Sequence, residues 1–141
     1  NRRELEERSS NHGLDRFVRF HGRVANAASL LPAFDLVVLS SRTEGTPIVI
    51  LESMAAGVPI VATTVGGIPD MLAPSEAFLV PPEDPRALAS AIRHAFEAPA
   101  ASATRAALAS KRLIADFDTE SWLARYDALY RSIQPTHDRP R

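Results

Sequence analysis

SRTEGTPIVILESMAAG, residues 41–57, organises the chain on either side of it. A polar segment runs into Thr46-Pro47, a good helix cap followed by a residue suited to the first helical position. The apolar run that follows closes at Gly57, a helix stop. This predicts a helix from about 47 to 56. Ahead of it, Leu36-Val37-Val38-Leu39 is continuously apolar, the mark of a strand covered on both faces. Behind it, Pro59-Ile60-Val61-Ala62 reads as the next strand. Strand, helix and strand joined by short connections call for a right-handed crossover and a parallel sheet.

The pattern continues outward. Residues 3–11 (RELEERSSN) are charged and helix-forming, with a stop at His12-Gly13. Phe17-Val18-Arg19-Phe20 alternates like a strand that ends at Gly22, and Ala25 to Pro32 reads as a short helix. A short helix is predicted near Ile68 to Leu72 and a last strand at Ala77-Phe78-Leu79-Val80. Asp84-Pro85 then opens a helix whose apolar face is Leu88, Ile92 and Phe96. Further helices are predicted over about 102–115 and 119–133, and the 134–141 tail reads as loose. The fold class is α/β, a Rossmann-like parallel sheet with helices on both faces, followed by C-terminal helices.

With 141 residues the chain holds one domain with a real core. Its net charge of −1 gives no electrostatic footprint for nucleic acid. The absence of cysteine excludes disulfides, thiolate metal sites and cysteine nucleophiles. No apolar run is long enough for a membrane span, and NRRELEERSS is no signal peptide. A cytoplasmic setting is the default expectation. The chain opens on Asn1, inside a predicted helix, and so reads as a piece of something larger.

In open parallel sheets, ligands bind beyond the carboxyl ends of strands, at the first turns of the following helices. The N–H groups of Ile48 and Val49 at the start of the 47–56 helix offer an anion site backed by the helix dipole. Glu44 lies just before that site, where it makes sense only if it accepts from neutral groups such as sugar hydroxyls. Glu52 lies further along the helix, flanked by Leu51, where a carboxylate needs partners. A ribose diol supplies such a pair. Phosphate at the helix start with a polyol at each acid describes a nucleotide-sugar. Spacing alone favours a structural reading instead, with Glu44 serving the helix N-terminus and Glu52 paired to Arg42 or another buried arginine.

SSRTEGTPIVILESMAAGVPIVATTVGGIPDML, followed by FLVPPEDPRALASAI, resembles the C-terminal domain of retaining glycosyltransferases of the GT-B fold, the glycogen-synthase-like and mannosyltransferase group. Glu44 and Glu52 match its E-x7-E motif, and FVRFHGRV (17–24) matches the strand and turn that reads the base. The resemblance runs from about residue 3 to 133. It implies that Glu44 holds donor-sugar hydroxyls nearest the reacting centre and that Glu52 holds the ribose diol. Backbone around Gly45, Thr46, Pro47, Ile48 and Val49 would meet diphosphate and sugar, and Gly22, Arg23 and Val24 would edge the base. The donor would be a UDP-, GDP- or ADP-sugar, transferred with retention and with no metal or other cofactor. The implied setting is cytoplasmic or peripheral at the inner face of the membrane.

Two first strands of the family domain, a diphosphate-clamping basic segment and the acceptor-binding N-terminal domain have no counterpart in this chain. The chain alone is therefore expected not to transfer sugar. If the family strand order holds, the absent strands lie between 17–20 and 36–39. The exposed edges then predict self-association, rearranged pairing or dependence on residues outside this chain. Two other readings stay open, a nucleotide-sugar epimerase of the same fold and a non-catalytic binding or assembly module.

Lesser features read more plainly. Asp116-Phe117-Asp118 has a D-x-D form, but its place before a helix makes Asp118 a cap. His12, His21, His94 and His137 show no ligand spacing; His21 reads as a strand-end residue or a wall of the base site. Val65-Gly66-Gly67 lacks the dinucleotide fingerprint and is either a tight turn or a place of close approach to the donor. Trp122 and Tyr126 are expected in the core.

Overall fold

A computed structural model describes residues 2–133; the tail reading for 134–141 lies outside the described residues. In chain order it contains α1 (Arg2–Asn11), a 3-10 helix (Ala27–Ala33), β1 (Val37–Leu39), α2 (Ile48–Ala56), β2 (Ile60–Thr63), α3 (Ile68–Met71), β3 (Phe78–Val80), α4 (Pro85–Glu97), α5 (Pro99–Asp116) and α6 (Thr119–Ile133). The three strands form one parallel sheet in the order β1-β2-β3.

The register explains how the strand composition fills two cores. Val38, Val61 and Phe78 are partners across the sheet and share a face, because side chains alternate along each strand. Val61 and Phe78 pack there with Ala95, Leu88 and Ile92, most of them from α4. On the other face Ile60 and Ala62 join Ile50 and Met54 of α2, Ile68 and Met71 of α3, and Ala109 of α5. Every residue of β2 is buried, as a central parallel strand covered on both sides requires. The α/β reading is therefore correct: helices lie on both faces of a parallel sheet.

The termini of the helices follow local chemistry. After α2, Gly57 takes φ +67, and the N–H groups of Gly57 and Val58 donate to Met54 O (3.3 Å) and Ser53 O (3.1 Å). That pattern satisfies two orphan carbonyls and needs a left-handed residue, which glycine supplies at little cost. Asp84 caps α4 by accepting from Arg86 N (3.0 Å) and Ala87 N (2.9 Å), with Pro85 at the first position. The Ser110 hydroxyl of α5 donates to Met54 O at 2.6 Å, fastening α5 to the last turn of α2. Met54 is fully buried between them. Met54→Ala is expected to cost ~2–5 kcal/mol through lost burial and a residual cavity. Urea unfolding should show a lower midpoint with an unchanged slope.

Four expectations are corrected. Residues 17–20 form no strand: no strand lies beside them among the described residues, and Phe17 is exposed. A backbone with nothing to pair with gains no ladder hydrogen bonds, whatever its alternation suggests. Apolar 36–39 is not covered throughout, because β1 is an edge of the described sheet and Val38 is 41% exposed. Phe96 points outward while Ala95 takes the core side of α4. Trp122 and Tyr126 are not core: they are 48% and 44% exposed, and α6 buries none of its residues. The stripe is only partly covered, with Trp122 and Tyr126 bordering a depression shared with Thr46, Leu51 and Phe117.

Candidate functional site

The site forms at the carboxyl ends of the strands, where the loop from β1 enters α2. Pro47, with φ −72 and ψ 115, is the capping residue of α2, so the helix starts one residue later than Thr46-Pro47 suggested. No side chain caps it. The first N–H groups of the helix, those of Ile48 and Val49, have no partner within the helix itself. Thr46 instead borders a depression of about 570 Å³ with Leu51, Phe117, Trp122 and Tyr126. The Trp122 and Tyr126 rings stack there with centroids 4.2 Å apart.

On the other side of α2 lies an apolar trough of about 670 Å³. His21, Val24 and Phe34 come to it from the segment before β1, Leu36 and Val38 from the β1 edge, and Val49 and Glu52 from α2. The fold thereby brings Val24 together with Val49 and Glu52 of α2, from two separate stretches of sequence. Gly22 takes φ +67, and a Cβ there would sit 3.2 Å from Arg2 Nη1. Arg2 Nη2 donates to Phe20 O at 2.8 Å, so α1 pins the turn that carries Gly22, Arg23 and Val24.

The acids differ in their surroundings. Half-buried Glu52 makes no hydrogen bond or ion pair among the described residues. Arg42, its suggested partner, lies 3.3 Å from Glu83 instead. An unpaired carboxylate on an apolar wall is costly, and it can accept from two neighbouring hydroxyls at once. Glu44 is held from its own side of the loop: Ser41 Oγ donates to Glu44 Oε1 at 2.6 Å. No hydrogen bond joins it to the start of α2 among the described residues. The sequence reading missed Ser41, whose only sign is its place three residues before an acid in a turn. Phe34 and Leu36 as trough walls were also missed, since only the fold carries them to α2.

Asp118 is the cap that its position suggested. It accepts from Ser121 N at 3.0 Å, and hydrogen bonds led by that N–H hold its carboxyl below the ordinary Asp value. No cluster of three metal-ligating side chains occurs among the described residues.

A parallel sheet with helices on both faces, and a helix opening at the carboxyl end of a strand, places the chain among the doubly wound α/β domains. The sequence profile of the family "Glycosyl transferases group 1" matches residues 1–98. The chain belongs to the group 1 glycosyl transferases. It is 33% identical over 120 residues to a glycogen synthase of Mycobacterium tuberculosis, covering 83% of this chain and 29% of that protein. With the lipopolysaccharide core mannosyltransferase LpsB of Rhizobium meliloti it shares 31% identity over 135 residues, covering 91% of this chain and 38% of that protein. Among solved structures, Anabaena HepE in complex with UDP superposes with a TM-score of 0.88 at 29% identity, covering 93% of this chain and 36% of that one. Sucrose-phosphate synthase from Thermosynechococcus elongatus gives 0.85 at 32% identity, covering 94% and 34%. The chain thus spans about a third of the length of these relatives, and its fold is that of a GT-B C-terminal domain.

Proposed function

We propose that this chain is the donor-binding part of a glycosyltransferase that moves a sugar from a nucleotide-sugar to an acceptor, with retention and without a metal. The observation that carries the proposal is Glu52, half-buried, without a partner among the described residues and set in an apolar trough beside the start of α2. In this reading the base lies in the trough, edged by Gly22, Arg23 and Val24, and the ribose diol donates to Glu52. The diphosphate meets the N–H groups at Ile48 and Val49, and the sugar lies along Gly45, Thr46 and Pro47 with its hydroxyls on Glu44. The complexes of HepE with UDP and UDP-glucose support a nucleotide-sugar as the ligand class. Retention and metal independence rest on the resemblance of the E-x7-E segment to the retaining group.

The acceptor wall and the groups that clamp the diphosphate are assigned to an N-terminal domain and to strands beside β1, where the sheet edge is open. Without them the isolated chain is expected to be inactive and to self-associate through that edge. The proposed setting is the cytoplasm, free or peripheral at the inner face of the membrane. No helix among the described residues is long and apolar enough to cross a bilayer.

Titrating the complete two-domain protein with UDP-, GDP- and ADP-sugars tests the reading. One nucleotide series should bind, with the free nucleotide diphosphate retaining most of the affinity. A non-catalytic module would bind none of them, and that result would overturn the proposal. The same experiment identifies the base.

A further inference from the structure

Gly66 and Gly67 have no room for side chains, and the atoms that fill the space belong to the loop carrying Glu44. A Cβ on Gly66 would lie 1.7 Å from Glu44 O and 2.6 Å from Glu44 C. One on Gly67 would lie 2.5 Å from Gly45 O, which already accepts a hydrogen bond from Gly67 N at 2.9 Å. Gly66 also takes φ +53, a conformation that side chains disfavour. Both glycines are therefore required by the approach of one backbone to another.

The same loop is gripped from below. Thr63, buried at the end of β2, donates its hydroxyl to Ser41 O at 2.7 Å. Ser41 in turn donates its hydroxyl to Glu44 Oε1 at 2.6 Å. Glu44 is thus restrained at its carboxylate by Ser41, at its own carbonyl by contact with Gly66, and one residue on by the Gly67 hydrogen bond. The restraints come from the ends of two adjacent strands, which the rigid sheet holds in register. A glutamate on a free loop would sample many rotamers and lose entropy on meeting substrate. With its backbone fixed at residues 44 and 45 and its carboxylate held by Ser41, Glu44 has lost part of that freedom beforehand.

We propose that Ser41 and the Gly66-Gly67 turn are positioning residues. They hold Glu44 in the geometry that it needs against the donor sugar and have no part in holding the nucleotide. This rests on the reading of Glu44 as the sugar-side acid. Gly67→Ala must push the Gly45 carbonyl aside and carry Glu44 with it. A displacement on the order of 1 Å lowers turnover by about a hundredfold where geometry limits the rate. Ser41→Ala removes only the hydroxyl grip and is expected to lower kcat by about tenfold, the scale of one charge-assisted hydrogen bond.

The test measures kcat and affinity for the nucleotide diphosphate in the complete two-domain enzyme carrying Gly67→Ala, Ser41→Ala, Ser41→Thr, Glu44→Gln, or Ser41→Ala with Glu44→Gln. The expected result is a fall in kcat for Gly67→Ala and Ser41→Ala with nucleotide affinity within about twofold of wild type. Ser41→Thr, which keeps the hydroxyl, should recover most of the turnover. In the Glu44→Gln background, Ser41→Ala should cost little more, since both act through one group. If Gly67→Ala does not fold, the Ser41 series decides alone. Wild-type kcat in Ser41→Ala with an impaired Glu44→Gln overturns the clamp and leaves the donor reading standing. Wild-type kcat in Glu44→Gln overturns the assignment of Glu44 as the sugar-side acid, and the clamp with it.

Discussion

Glu44→Gln in the complete enzyme is expected to lower kcat by on the order of a hundredfold while leaving nucleotide affinity almost unchanged. Positive charge develops at the anomeric carbon as the nucleotide departs, and a carboxylate beside it stabilises the transition state more than the bound donor. Glutamine keeps the shape and can still meet the Ser41 hydroxyl through its carbonyl oxygen, but it lacks the charge. The melting temperature should therefore barely move. Steady-state kinetics, a binding titration with the free nucleotide and a thermal melt check the three parts. Normal turnover in this variant would sink the assignment of Glu44.

Glu52→Gln should show the opposite pattern. The ribose is held alike in ground and transition states, so the loss falls on binding of nucleotide and nucleotide-sugar together, with kcat at saturation preserved. Replacing one accepting oxygen by an amide donor spoils part of a charge-assisted pair and weakens binding by about tenfold to a hundredfold. The structure adds a sign that spacing did not supply. Glu52 has no partner among the described residues, so its charge is a burden on the free protein. Glu52→Gln is expected to raise the melting temperature without ligand while weakening the nucleotide. An acid kept in an ion pair would lose stability on the same substitution, and a drop in melting temperature would favour that structural role.

The readable elements were those whose reasons are local. Gly57 ended α2 as its position promised, because a left-handed residue is needed wherever a helix stops this way. Asp84-Pro85 opened α4 and Asp118 opened α6 for equally local reasons. The apolar runs became β1, β2 and β3 within a residue of their expected bounds. Readings that needed a neighbour went astray. Residues 17–20 have strand alternation but no strand beside them among the described residues, and the Trp122-Tyr126 stripe has helical spacing but is only half covered. Periodicity describes a face, and only another element buries it.

The site divides along the same line. The chain by itself determined the α/β class, the E-x7-E spacing and the helix start between the two acids, since these depend on residues near one another in sequence. Tertiary structure decided what each acid meets. Glu52 stands without a partner among the described residues, in a trough whose facing walls come from residues 21–38, and Glu44 is gripped by Ser41 below and by the Gly66-Gly67 turn from the next strand end. Those contacts join segments that only the sheet register brings side by side, and no local preference encodes a distance across a fold.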